Sequence, residues 1–238
     1  MPSRETPLRV SAVLWDFDDT LVDSLPTRVQ ALSQVFRDAD IAGVDVRHFL
    51  HTLEDRTLEE SLVSLATSQG KPADLYRRYR NIYWTKDPAV LRLFPGMDEV
   101  LEALARHGVS MAVVTQKARS FEIQGVAAGA SVELEALGIA DLFPVVIGIE
   151  DVTKTKPHPE GILKALERLG ASPERALMVG DTVADIGAAK AAGCWSCLAT
   201  WGVPDGADRA RRTRPDFVAE APLDLLSLLG FADGPRQA

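Results

Sequence analysis

Apolar residues recur along the chain in two alternating rhythms. Short, β-branched apolar runs at 10–15, 109–114, 145–149, 176–179 and 194–199 have the length and composition of buried strands. Between them the spacing becomes helical. Met97, Val100, Leu101 and Leu104 follow the Pro95-Gly96 turn at intervals of three and four, and Gly108 stands where a left-handed C-terminal cap is needed. Ile162, Leu163, Leu166 and Leu169 repeat the scheme before Gly170, and an alanine-rich helix over 185–192 ends at Gly193. Such alternation predicts an α/β fold with a doubly wound parallel sheet, a Rossmann-like core.

The segment 23–91 breaks the rhythm, because it offers helical periodicity with no strand between. Leu25, Val29, Leu32, Val35 and Phe36 line one helix face, Thr57 with Glu60 fits a capping box, and Pro72 can open a helix running to Trp84. This predicts an α-helical insertion over 23–91 in an α/β core made of 8–22 and 92–230, with flexible termini at 1–7 and 231–238; a separate helical domain placed elsewhere is the alternative. The insertion leaves the sheet just after Asp16 and Asp18 and should lie over the strand ends that carry them.

Composition narrows the class. With 238 residues, 46% of them hydrophobic and 25% charged, the chain can bury one large core or a core with an insertion. A formal net charge of −8 argues against nucleic acid and against anionic membranes as partners, since both need clustered cations. No apolar stretch approaches the roughly 18 residues of a spanning helix, and the first ten residues lack the apolar core of a signal peptide, so a cytoplasmic monomer or homodimer is expected. Cys194 and Cys197 form a C-x-x-C, but they sit in an apolar run with no second pair and no histidine cluster, and read as strand rather than as a zinc or redox site.

The candidate chemistry begins where the first apolar run stops, at Trp15-Asp16-Phe-Asp18-Asp-Thr20. If the extended backbone persists, Asp16 and Asp18 start on one face. Two carboxylates at about 4 Å repel by roughly 4 kcal/mol in a partly buried cleft, so the pair calls for a cation, a proton or a function. Three later segments end at the same edge of such a sheet: the strand leading to Thr115, Lys156 ahead of a helix, and Gly180-Asp181 through Asp185. Each has a plain structural reading as a helix cap, a solvated charge, or a turn and first-turn acid. Their joint occurrence in this order is harder to attribute to local structure.

Together these segments resemble the haloacid-dehalogenase-like hydrolase superfamily, over nearly the whole chain from Val10 to about Leu229. Asp16-Phe-Asp18-Asp-Thr20 matches its D-x-D-x-T signature, and Thr115, Lys156 and Gly180-Asp181 through Asp185 match its second, third and fourth motifs. The wording of Phe94-Pro-Gly96, Val113-Val-Thr115 and Lys156-Pro-His-Pro-Glu160 is similar to the phosphoglycolate-phosphatase-like branch with its helical cap. The resemblance implies that Asp16 is a nucleophile and that Asp18 is the general acid and later the base. It implies that Thr115, Lys156 and the backbone N–H groups of Phe17 and Asp18 hold phosphoryl oxygens. Four acids and a phosphate against the single charge of Lys156 imply a divalent cation, and oxygen-only donors favour Mg²⁺. By the same resemblance Asp16, the Asp18 carbonyl and Asp181 are its ligands, while Asp185 orients Lys156 or a metal-bound water.

The resemblance also separates reaction types. Dehalogenases lack an acid at the position of Asp18, so its presence implies phosphoryl chemistry. Phosphonate hydrolysis needs a cap lysine as Schiff-base former, and only Lys71 and Lys86 are available. Asp19 departs from the branch's usual glycine and Gln116 from its usual asparagine, which weakens inference to phosphoglycolate itself. Gln124 to Ser131 reads as an extra glycine-rich loop near the site. Substrate selection should lie in the cap, with Arg56 the preferred contact for a second anionic group. Arg77, Arg78, Arg80, Tyr76, Tyr79, Tyr83 and Trp84 fit packing and solvated faces better. The expected function is Mg²⁺-dependent hydrolysis of a small phosphorylated metabolite, phosphoglycolate-like or a sugar phosphate, through an aspartyl-phosphate. Alternatives on the same core are a sugar phosphomutase, an inorganic pyrophosphatase, or a non-catalytic binding protein.

Overall fold

A computed structural model describes residues 7–53, 57–203 and 206–231. The expected mobility of both chain ends falls largely on residues outside that range, as does Arg56. The sheet has six parallel strands in the order β5-β2-β1-β6-β7-β8, with β1 at Ala12–Trp15, β2 at Ser110–Val114 and β5 at Val145–Ile147. β6 is Ala176–Gly180, β7 is Trp195–Ala199 and β8 is Phe217–Ala219. Successive residues of β1 serve opposite faces. Val13 and Trp15 join a cluster with Val100, Leu101, Leu104, Leu134 and Leu225, whereas Ala12 and Leu14 join Ile162, Ala165, Leu166, Ala188 and Ala189. Two buried faces demand helices on both sides, as a doubly wound sheet requires.

Those helices carry the apolar spacing read from the sequence. α5 spans Met97–Arg106, α7 spans Glu160–Leu169 and α8 spans Val183–Ala192, and Gly108, Gly170 and Gly193 follow them at φ of 68°, 65° and 79°. Leu163 departs from the expected face and is exposed, while Ala165 is buried instead. α6 at Ala130–Ala136, α9 at Gly206–Thr213 and α10 at Asp224–Leu229 complete the layers. β8, an edge strand of three residues, has too short an apolar run to stand out in sequence.

The described residues of the insertion form helices joined by turns and loops, with no strand among them. α1 is Leu25–Asp38, α2 is Val46–His51, α3 is Leu58–Ser68 and α4 is Leu75–Trp84, and their buried side chains form a third apolar cluster drawn from 25 to 84 alone. The Thr57–Glu60 capping box opens α3. α4 begins three residues after Pro72, behind a turn at 73–74, so the proline precedes the helix rather than opening it. The stretch expected to be a glycine-rich loop, Gln124 to Ser131, is instead the turn and second strand of a hairpin followed by the start of α6: β3, Phe121–Ile123, pairs with β4, Val126–Ala128, across Gln124 and Gly125. Both turn residues have positive φ, 53° and 78°, as a two-residue turn matched to strand twist requires.

Candidate active site

β1 is flanked by β2 and β6, and the chain passes from one side of it to the other, so their carboxyl ends border a crevice at the switch point of the sheet. Trp15 pairs with Val113 and with Val179, which brings Asp16, Thr115 and Asp181 to neighbouring strand ends. The regular strand stops at Trp15. The Asp16 N–H still donates to the Val179 carbonyl at 2.9 Å, and then a turn closes with Leu21 and Val22 N–H on the Phe17 carbonyl. Phe17 is wholly buried, and Asp18 stays partly open with 26% of its side chain exposed.

Lys156 binds the acids together. Its Nζ donates to Asp16 Oδ1 at 2.5 Å, to Asp185 Oδ1 at 2.6 Å and to the Val114 carbonyl at 2.8 Å, which uses all three ammonium donors. Gln116 holds the Lys156 loop by donating its side-chain N–H to the Lys156 carbonyl at 2.8 Å. Asp185 is committed on both oxygens. Its Oδ2 accepts from Thr182 N at 3.0 Å and from Thr182 Oγ1 at 2.5 Å, capping α8, while Oδ1 faces Lys156. A Cβ on Gly180 would overlap the Asp185 carboxylate, so glycine there clears the space this reach needs. Thr115 is buried at the end of β2, and its Oγ1 accepts from Lys117 N at 3.1 Å.

Asp181 is buried with Thr20 Oγ1 donating to Oδ1 at 3.1 Å, and Arg209 donating to its carbonyl at 2.8 Å and to Oδ2 at 3.3 Å. Burial, Asp16 and Asp185 together push the Asp181 carboxyl well above the usual range. Asp16 is pushed up too, by burial foremost and by Asp185, against the lowering effect of Lys156. Burial would lower the Lys156 ammonium, but Asp16 and Asp185 outweigh it and hold it above its ordinary value. Oxygens of Asp16, Asp181 and Asp185 all lie within 4.8 Å of one another. Three buried carboxylates, two sharing Lys156 and the third facing Arg209 at 3.3 Å, make an oxygen donor set that suits a hard divalent cation.

Four neighbours of the site escaped the sequence reading. Lys117 Nζ donates to Asp18 Oδ1 at 3.0 Å and to Glu133 Oε2 at 2.5 Å, and Arg28 Nη1 donates to Asp19 Oδ2 at 2.6 Å. Burial would raise Asp18, yet Lys117 and Arg28 outweigh it and leave this carboxyl below its ordinary value. The one signal for Lys117 was its place just after Thr115, although the chain bends there beyond β2 and strand alternation no longer applies. Arg28, Glu133 and Arg209 carry no comparable mark. Of the cap residues weighed for substrate contact, Arg77 and Arg78 pair with Asp74, Arg80 lies over Phe121, and Tyr79 and Tyr83 are buried in the cap core. Lys71 is paired with Asp40. The thiols of Cys194 and Cys197 are buried and unbridged, and burial pushes both up to about 12, which leaves them protonated and inert.

The profile of the haloacid dehalogenase-like hydrolases matches residues 13–199. Phosphoglycolate phosphatase of Salmonella choleraesuis is 33% identical over 253 aligned positions, covering 96% of each chain, and that of Nitrosococcus oceani is 32% identical, covering 92% of this chain and 96% of its own. A crystal structure of a predicted phosphoglycolate phosphatase from Haemophilus somnus superposes with a TM-score of 0.75 at 26% identity, covering 92% of this chain and 97% of that one. A haloacid dehalogenase-like hydrolase from Streptococcus pneumoniae does so with the same values. The chain therefore belongs to the haloacid dehalogenase-like hydrolases, within the phosphoglycolate-phosphatase-like branch that carries a helical cap.

Proposed function

We propose that the protein is a Mg²⁺-dependent phosphatase that hydrolyses a small phosphorylated metabolite, phosphoglycolate-like or a sugar phosphate, through a phosphoryl group carried on Asp16. The observation that carries this reading is the hydrogen-bonded row Asp16–Lys156–Asp185 beside Thr115 and Asp181, with Asp18 two residues from the nucleophile. The named activity of the relatives points the same way.

In this reading an Asp16 carboxylate oxygen attacks phosphorus as the bond to the ester oxygen breaks. Asp18, an ionised carboxylate beside Lys117 in the resting protein, takes up a proton as the negatively charged substrate enters and gives it to the departing alkoxide. The carboxylate left on Asp18 then takes a proton from water, which attacks the same phosphorus, frees orthophosphate and restores Asp16. Lys156 keeps Asp16 turned toward the phosphoryl group and lends fixed positive charge to its oxygens, while Thr115 and the N–H groups of Phe17 and Asp18 donate to those oxygens. Asp16, Asp181 and the Asp18 carbonyl would hold the Mg²⁺, whose charge offsets that crowded between the acids and the phosphoryl group. Asp185 is assigned to orienting Lys156 rather than to the metal, because both its oxygens already serve Lys156 and the start of α8. The cap, closed over the strand ends, excludes water from the first step and selects the leaving group.

A phosphate-release panel over phosphoglycolate, sugar phosphates, nucleotides and pyrophosphate, with Mg²⁺ or with chelator, tests the reading. Release from at least one monoester should depend on Mg²⁺ and fall by about three orders of magnitude or more in Asp16→Asn. Turnover that survives this substitution, or that persists in chelator, would refute it.

A further inference from the structure

Lys117 has an unusually complete set of partners for a residue outside the acid row. Its ammonium donates to Asp18 Oδ1 at 3.0 Å, to Tyr83 OH at 2.9 Å and to Glu133 Oε2 at 2.5 Å. It also lies 4.6 Å from the centre of the Phe17 ring, 5.1 Å from that of Tyr83 and 5.0 Å from that of Trp84, with 6% of the side chain exposed. Three donors meet three oxygens, so no N–H remains for a substrate oxygen, and the aromatic walls fix the ammonium in place.

The three oxygens come from three parts of the molecule. Asp18 belongs to the turn after β1, Glu133 to α6 of the core, and Tyr83 to α4 of the cap. The Tyr83 hydroxyl accepts from Lys117 and donates to Glu133 Oε1 at 3.3 Å, and Lys86, just beyond α4, donates to the same oxygen at 3.4 Å. One buried core carboxylate thus receives two donors from the cap and holds the lysine that holds Asp18. The hairpin supports this junction, since Phe121 on β3 meets the Trp84 ring edge-on at 5.1 Å.

We propose that Lys117 is a positioning residue that aims the Asp18 carboxylate, and that docking of α4 through Tyr83 sets the aim of Lys117. The inference rests on the reading of Asp18 as proton donor to the leaving group. Closing the cap would then do more than exclude water: it would complete the hydrogen-bond set that points the acid at the departing oxygen.

A leaving-group comparison separates this role from simple support of the fold. An alkyl phosphate needs its leaving oxygen protonated, whereas p-nitrophenyl phosphate does not, so a misaimed acid slows the first far more than the second. In Lys117→Met, kcat/KM for the best alkyl ester of the panel should fall about 10- to 100-fold, while that for p-nitrophenyl phosphate changes by no more than about threefold. Tyr83→Phe should show the same selectivity at smaller size, and the double variant should be no worse than Lys117→Met, because both act on one chain of contacts. Equal losses on the two esters, no loss on either, or additive effects would overturn the proposal. If Lys117→Met fails to fold, Tyr83→Phe carries the same comparison, since it removes one hydroxyl and keeps the lysine. Activity surviving in Asp16→Asn would defeat the phosphatase reading itself; an inactive Asp16→Asn with no leaving-group selectivity in these variants defeats only the role of Lys117.

Discussion

At the scale of single residues, Asp19 shows how a departure from a family's usual glycine can be accommodated. Its backbone lies in the left-handed region at φ 62°, where glycine is free and aspartate is among the better-tolerated alternatives. The side chain compensates by accepting from Arg28 Nη1 at 2.6 Å and from Ser24 Oγ at 3.3 Å, tying α1 of the cap to the turn that carries Asp16 and Asp18. Both partners are largely buried, so removing one leaves an uncompensated charge. Asp19→Gly and Asp19→Ala both lose the ion pair, but only alanine also bears the left-handed strain. Urea unfolding should therefore find Asp19→Ala less stable than Asp19→Gly by about 1 kcal/mol, with both below the native protein. Equal stability of the two variants would show that the backbone at this position costs nothing. The acid row was legible in sequence because its members stand at strand ends in a fixed order. Arg28 and Glu133 were not, because a charged residue on a helix looks the same in sequence whether it faces water or a buried partner.

At the scale of elements, the junction of α4 with α6 concentrates charge where little water reaches. Burial is the main reason the Lys86 ammonium is pushed down to about 8; Glu133 opposes that shift, Lys117 adds to it, and Asp18 weakly opposes it. A lysine with a lower pKa folded than unfolded destabilises the fold while it is charged. Between about 8 and its ordinary 10.5 the unfolded chain binds the extra proton, so this group's contribution to unfolding free energy rises with pH across that window. Urea titrations at pH 7.5 and at pH 9.5, as roughly the two sides of the folded midpoint, should show the native protein gaining on Lys86→Met as pH rises. A constant difference between them would contradict the shift. Helix faces around α1, α5 and α7 and the five longer apolar runs were readable because period and burial agree there. The hairpin and β8 were not, since unlike β5, which sits in the longer apolar run 145–149, their strands lie in apolar runs too short to register, although the Gln124-Gly125 pair matches the chemistry of a two-residue turn.

At the scale of the whole molecule, one chain joins a sheet that presents acids at its carboxyl edge to a helical insertion with its own apolar core. The insertion point follows from the sequence, because strand periodicity stops after Asp18 and resumes only beyond Pro95-Gly96. The contacts by which cap and core meet do not, because they pair residues such as Tyr83 and Glu133 that lie 50 positions apart with no shared periodic pattern. The central claim is that phosphorus is attacked twice, first by Asp16 and then by water. Its most direct test is the stereochemical course of hydrolysis of an isotopically chiral thiophosphoryl ester of the preferred substrate. Two in-line displacements each invert the centre, so the account predicts net retention of configuration in the released thiophosphate; net inversion would mean that water attacks directly, and that no phosphoryl group is ever carried on the protein.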